Sequence, residues 1–201
     1  MSKLDELIKE LCPDGVEYKR LADVSSINRG VRVVKKQLNE FGEYPVYQNS
    51  MTPLGYYNEK NRNGGTTFVI SAGAAGDIGY CDKPFWAADD CLTVEANTDI
   101  DNRFIYHVLL WKQHMIYSRV RKASIPRLSR TVIEEMQVPV PPLEVQREIV
   151  RVLDNFTFLS AELSARRKQY EYYRNELLSF KNDVKVVSLE EIADIGTGSS
   201  N

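Results

Sequence analysis

Residues 138–180 read VPVPPLEVQREIVRVLDNFTFLSAELSARRKQYEYYRNELLSF, and this stretch decides the architecture. The adjacent prolines Pro141 and Pro142 forbid a regular helix before them and suit the first turn of one after them. Glu144 stands in that opening turn, where the helix dipole favours an anion. From Leu143 to Phe180 there is no glycine and no proline. Val145, Ile149, Val152, Phe156, Leu159, Leu163, Arg166, Tyr170, Tyr173, Leu177 and Phe180 follow at alternating steps of four and three. That is a heptad repeat over about five heptads, with one polar intrusion at Arg166. At about 1.5 Å per residue, such a helix spans on the order of 55 Å. It is too long to bury its seam against a domain of this size alone. The pattern therefore predicts a partner helix, in the same chain or in a second copy, with Arg166 fixing the register.

Upstream the texture is mixed. Lys3–Leu11 reads as a short helix with Leu4, Leu7, Ile8 and Leu11 on one face, stopped by Pro13-Asp14-Gly15. From Val16 to Arg130, β-rich runs such as Thr66–Ile70 and Cys91–Val94 alternate with turns such as Asn61–Gly65 and Ser71–Gly73. One helix is predicted over Asn102–Val120, with Ile105, Val108, Leu109, Lys112 and Ile116 near helical spacing. The fold class expected is α+β: a mixed globular domain over 1–140, then a long coiled-coil helix over 141–181.

A second pattern links the two ends. Residues 16–30, VEYKRLADVSSINRG, lie without a gap on residues 184–198, VKVVSLEEIADIGTG. Val16, Leu21, Ile27 and Gly30 meet Val184, Leu189, Ile195 and Gly198, and Val24 meets Ile192. The match begins a domain in one place and follows the long helix in the other. Residues 182–201 are therefore expected to start a second, truncated copy of the domain, too short to fold alone.

Composition excludes several classes. The 201 residues are 43% hydrophobic and 27% charged, ordinary for a globular protein. No apolar run reaches the roughly 18–20 residues of a membrane span, and MSKLDELIKE carries no signal-peptide core. Cys12, Cys81 and Cys91 form no CxxC pair and read as free thiols, which fits a cytoplasmic location. The net charge of −2 shows no global basic excess, so a nucleic-acid partner would be held by local patches.

Catalytic signatures are scarce. The sequence carries no P-loop, no GxSxG and no metal-spaced Cys/His set. Gly73-Ala74-Ala75-Gly76-Asp77-Ile78-Gly79 reads as a tight turn between strands. His107 and His114 share a predicted helix face with no carboxylate at ligand spacing, so neither is expected to bind metal. Asp89 and Asp90, taken as strand neighbours, point to opposite faces and form no joint site.

Local charge is more informative. Arg119, Arg121, Lys122, Arg127 and Arg130 crowd one segment without an acid among them. Arg29, Arg32, Lys35 and Lys36 lie in another. Cations of this kind release counterions from phosphates. Gln48, Asn49, Arg62, Asn63 and Ser71 offer polar groups suited to base edges. A merely solvated charged surface explains the same composition equally well.

Four stretches, taken in order, carry a resemblance. They are Val16–Val24 with Gly30, Tyr44–Tyr47 with Gly55-Tyr56, Val69–Tyr80 with Pro84–Trp86 and Asp89, and Ile125–Ser129 leading to Val138–Val150. Together they resemble the specificity subunit of type I restriction-modification systems, over nearly the whole chain. Members of that family usually carry two target recognition domains and two helices, where this chain has one of each and a stub.

The resemblance implies a recognition domain that reads one half of a bipartite site on double-stranded DNA, and a helix that serves as a ruler. It implies docking to modification subunits, which methylate adenine, and through the complex to ATP-driven restriction subunits. S-adenosylmethionine, ATP and Mg would belong to those partners, and the chain itself would be non-catalytic and hold no metal. At half length it is expected to form a homodimer through Ile149, Val152, Phe156, Leu159, Leu163, Tyr170, Tyr173 and Leu177. Two other readings stay open: a small-molecule enzyme with an oligomerisation helix, and a coiled-coil scaffold.

Overall fold

The computed structural model describes residues 2–179 and 187–193. The chain divides into two compact units, Met1–Asp154 and Asn155–Asn201. The elements in order are α1 (Lys3–Leu11), β1 (Tyr18–Arg20), α2 (Leu21–Val24), β2 (Ser25–Arg29), β3 (Tyr44–Tyr47), β4 (Gly55–Tyr57), β5 (Thr66–Ile70), β6 (Ile78–Cys81), β7 (Trp86–Ala87), β8 (Cys91–Ala96), α3 (Asn102–Trp111), α4 (Gln113–Ser118), α5 (Arg130–Glu134), β9 (Gln137–Pro139) and α6 (Leu143–Leu178).

The centre of the first unit is a four-stranded antiparallel sheet in the order β2-β8-β5-β6. Every residue of β5 is buried, and its two threonines satisfy their hydroxyls by donating to Asn63 O and Asn102 O. On one face Val69, Leu92 and Val94 pack with Phe104, Ile105, Val108 and Leu109 of α3. On the other, Phe68, Ile70 and Cys91 pack with Phe85 and Ala87. A three-stranded sheet, β4-β3-β7, closes that side, with β3 and β7 parallel. A third pairing, β1 with β9, brings the start of the domain beside the entry to α6. Cys12, Cys81 and Cys91 are free and buried, and burial pushes the Cys91 thiol up to about 12.

The sequence expectations meet this fold unevenly. The Lys3–Leu11 helix and the Thr66–Ile70 strand stand where the pattern put them. Ser2 caps α1, its hydroxyl accepting from the Asp5 N–H while the Asp5 carboxylate accepts from the Ser2 N–H. Two expectations are corrected. The helix expected over Asn102–Val120 is broken at Lys112 (φ −91°, ψ 6°). The spacing placed a cation on the buried stripe, and an unpaired buried charge is costly. The chain interrupts itself there and sets the Lys112 ammonium 4.6 Å from the Trp111 ring, while Ile116 joins the same core as Ile105, Val108 and Leu109. Asp89 and Asp90 occupy the turn between β7 and β8, not a strand.

The first turns of α6 belong to the globular unit, which runs to Asp154 and so past residue 140. Gln146 is fully buried. Its amide donates to Asp99 O (3.1 Å) and Pro141 O (2.8 Å), and its Oε1 accepts from the Asp101 N–H (2.9 Å). Glu148 pairs with Arg151 at 2.6 Å and Lys3 at 3.3 Å, and the hydrogen bond from Arg151 leads in lowering its carboxyl to about 2. Asp154 accepts from Arg103 at 3.0 Å and meets His107 Nε2 at 2.8 Å. Burial alone would raise Asp154, and these two partners override it and hold the carboxyl below its usual value. A carboxylate 47 residues away thus meets His107, which sequence spacing did not reveal. Among the described residues, no cluster of His, Cys, Asp or Glu could hold a metal ion.

Beyond Asp154 the heptad side chains are exposed. Leu163 is 72% and Leu177 73% exposed, and Phe156, Leu159, Tyr170 and Tyr173 are exposed with them. Ile149 and Val152, nearer the start of α6, are half-buried. Arg166 meets partners of its own helix, Glu162 at 4.0 Å and Gln169 at 3.1 Å. Phe180 and most of the expected second repeat, residues 182–186 and 194–201, lie outside the described residues. Within it, Leu189–Glu191 form one turn of 3₁₀ helix.

Candidate nucleic-acid interface

Backbone hydrogen bonds gather four loops at one end of the central sheet. The Ser71 N–H donates to Asp90 O at 2.7 Å, and the Ser71 hydroxyl donates to the same oxygen at 3.0 Å. The Leu128 N–H donates to Ser71 O at 2.8 Å, and the Gly73 N–H to Pro126 O at 3.2 Å. The Ala74 N–H donates to Asn49 O at 2.9 Å. Gly73 has a φ of +81°, and a Cβ there would lie 2.8 Å from Asn49 O. Only glycine lets these two loops approach so closely. The Gly73–Gly79 stretch is thus a turn between β5 and β6, as its sequence suggested.

Side chains continue the same cluster. Arg29, at the end of β2, donates to Asp89 O at 2.6 Å and lies 3.9 Å from Asp90 Oδ1. Gln48 Nε2 donates to Asp89 Oδ1 at 3.4 Å. Tyr117 donates to Asp77 at 2.7 Å, and this hydrogen bond raises the phenol. Arg121 and Arg127 form an antiparallel bridge, and Ala72 pairs with Arg127. The fold therefore brings together Arg29, Gln48, Asn49, Ser71, Arg121 and Arg127, which lie up to a hundred residues apart in sequence.

The cations differ in how they are held. Arg119, Arg121 and Arg127 line a cleft of about 300 Å³ with Leu128 and Ser129. Among the described residues, no ion pair or side-chain hydrogen bond occupies these three arginines or Lys122. The chemistry of an arginine cleft without an acid suits an anion. Arg130, by contrast, is paired with Glu134 at 2.7 Å. Arg32, Lys35 and Lys36 lie on the exposed loop before β3, where Lys35 lines a separate cleft with Leu38 and Tyr56.

Arg62, expected from sequence to reach a base edge, has several of its donors engaged within the fold while it lines the same polar cleft as Asn63. Its side chain is 14% exposed. It donates to Thr93 Oγ1 at 2.7 Å, Asn61 O at 2.6 Å and Arg29 O at 3.4 Å, and lies 3.4 Å from Glu95. A guanidinium so engaged has few donors left for a ligand. Asn63 is exposed and lines a polar cleft of about 790 Å³ with Asn28, Arg29, Lys60, Arg62 and Glu95. Sequence reasoning missed Lys60 and Asn28, because isolated polar residues beside a turn carry no pattern of their own.

Comparison with known proteins completes the picture. The profile of the type I restriction modification DNA specificity domain matches residues 13–170. A putative type I restriction enzyme specificity subunit of Haemophilus influenzae is 29% identical over 197 residues, covering 90% of this chain and 50% of that one. A putative type I specificity subunit of Mycoplasma pneumoniae is 32% identical over 187 residues, covering 87% and 51%. The chain therefore spans about half the length of these relatives. Its fold is similar to the crystal structure of a type I restriction-modification system S subunit from M. genitalium, with a TM-score of 0.68 and 19% identity over 81% of this chain and 44% of that one. With its profile matched over most of its length, the chain belongs to the type I restriction modification DNA specificity domain family.

Proposed function

We propose that the chain reads one half of a bipartite double-stranded DNA site as the specificity component of a type I restriction-modification complex. The observation that carries this reading is the cleft of Arg119, Arg121 and Arg127, free of acids and tied by backbone hydrogen bonds to the loops of Asn49 and Ser71. Phosphate contacts position a protein on a duplex, and polar loop residues beside them read base edges. Arg29, Arg119, Arg121, Lys122 and Arg127 take the phosphate role here. Gln48, Asn49, Asn63 and Ser71 take the base-reading role, and Arg62 braces the loop that carries Asn63.

On this reading residues 1–140 form the recognition domain and the helix that follows is a spacer. Two chains pair antiparallel through the exposed heptad seam and hold two recognition domains a fixed distance apart. Modification subunits dock on this assembly and restriction subunits join through it. The chemistry and its S-adenosylmethionine, ATP and Mg belong to those partners, and this chain selects the sequence.

The test is charge reversal at Arg119 and Arg121. Binding of mixed-sequence duplex DNA, with modification subunit present, weakens, and the slope of log affinity against log salt falls by about two. An unchanged slope removes the cleft from the interface.

A further inference from the structure

The chain between α4 and α5 folds into a tight hairpin. Arg121 and Arg127 exchange both backbone hydrogen bonds, at 2.8 and 3.1 Å. Between them lie Lys122, Ala123, Ser124, Ile125 and Pro126, and the first four are exposed. Ile125 at the tip is 53% exposed and belongs to no core cluster. The base is held firmly, because Pro126 O accepts from Gly73 and Leu128 donates to Ser71. Pro126 also has its φ fixed by its ring.

We propose that this hairpin enters the major groove of DNA, and that Ile125 reads the 5-methyl group of a thymine. One backbone phosphate sits among Arg119, Arg121 and Arg127, and the tip then reaches the neighbouring base edges. The inference rests on the DNA-reading function proposed above and assigns a specificity-determining residue to it. Three observations carry it. A narrow loop closed by one backbone bridge presents its tip to the major groove, whose thymine methyl is the apolar feature of its edge code. The three cleft arginines position the loop and supply no sequence preference of their own. The stitched base means that the tip loses little freedom on binding. A protein partner fits less well. Ile125 is a single apolar residue flanked by Lys122 and Arg127, whereas protein interfaces deplete charge around their apolar cores.

The test uses the full chain together with the modification subunit of its system. Selection from a random duplex library defines the sequence that the unaltered chain prefers. Ile125→Ala enriches the same sequence except at one thymine, where preference relaxes by about fourfold, the value expected for one buried methyl group. Its salt slope and circular dichroism stay as in the unaltered chain. Deoxyuridine at that position, which deletes only the methyl, costs the unaltered chain the same factor and costs Ile125→Ala nothing more. An unchanged preference in Ile125→Ala, or an equal deoxyuridine cost in both proteins, overturns the hairpin assignment alone. Failure of the unaltered chain to enrich any sequence overturns the DNA-reading function with it.

Discussion

Leu163 is the position at which the proposed pairing is most exposed to test. Val145 is buried in the globular unit, so among the described residues the seam open to a partner runs from Phe156 to Leu177, with its midpoint between Arg166 and Arg167. In an antiparallel pair centred there, each Leu163 lies about one helical turn from the two-fold axis. The alkyl stem of Arg166 can cover apolar surface of the partner helix. Leu163 is 72% exposed in the single chain, so pairing removes most of its side chain from water. That burial is worth about 2 kcal/mol per copy. Leu163→Glu forfeits it twice, about 4 kcal/mol, and adds two like charges near the axis. The dissociation constant of the pair rises about a thousandfold. Leu163→Arg does the same, and an equimolar mixture of the two variants recovers part of the association, because opposite charges then stand on either side of the axis. Sedimentation equilibrium of the full chain at micromolar concentration reads all four samples. A monomeric unaltered chain refutes the pairing. So does a Leu163→Glu chain that associates as before, and a mixture no tighter than either variant alone refutes the antiparallel register.

Two further predictions concern the root of the helix. Gln146→Ala leaves the Asp101 N–H and the carbonyls of Asp99 and Pro141 without their partner. Three hydrogen bonds at about 1 kcal/mol each lower stability by about 3 kcal/mol, a fall in Tm of about 6–12 °C by calorimetry. Glu148 has a folded pKa of about 2 against an ordinary 4.5, so its contribution is present above pH 4.5 and is lost as pH falls towards 2. Glu148→Gln flattens this acid limb of stability, which urea midpoints measured across that range detect.

What the sequence revealed follows from the range of the forces involved. The heptads and the apolar face of the Lys3–Leu11 helix are local, and both were readable one turn at a time. β5 was readable because its β-branched and aromatic run stands between turn-forming residues. The Lys112 break was not, since helical spacing says where a side chain points and not whether a cation there can be buried. Asp154 escaped for another reason. Its meeting with His107 and Arg103 depends on how α6 packs beside α3, and nothing near His107 in sequence signals it. In the candidate interface, residue types were legible and engagement was not. Arg62 and Arg121 look alike as letters. Both line clefts, but one has donors taken up by Thr93, Asn61 and Arg29 and an acid, Glu95, beside it, and among the described residues the other has neither.

The near-neutral charge of the chain has a consequence for how such a reader would work. Among the described residues Arg119, Arg121, Lys122 and Arg127 carry no ion pair, and with Arg29 they make the five proposed phosphate contacts on a chain of net charge −2. Five phosphate contacts correspond to a salt slope of about −4.5, well short of what a strongly basic protein achieves. On the proposed reading a single recognition domain would hold DNA weakly, and joining two would supply the tight binding. A rod fixes their separation, so the second domain meets its half-site at high effective concentration only when the two half-sites are correctly spaced. Disrupting the seam should then weaken binding to a full bipartite site far more than binding to one half-site, although no residue on the seam touches a base. Equal losses on the two duplexes would mean that the helix serves the fold and not the reading of spacing.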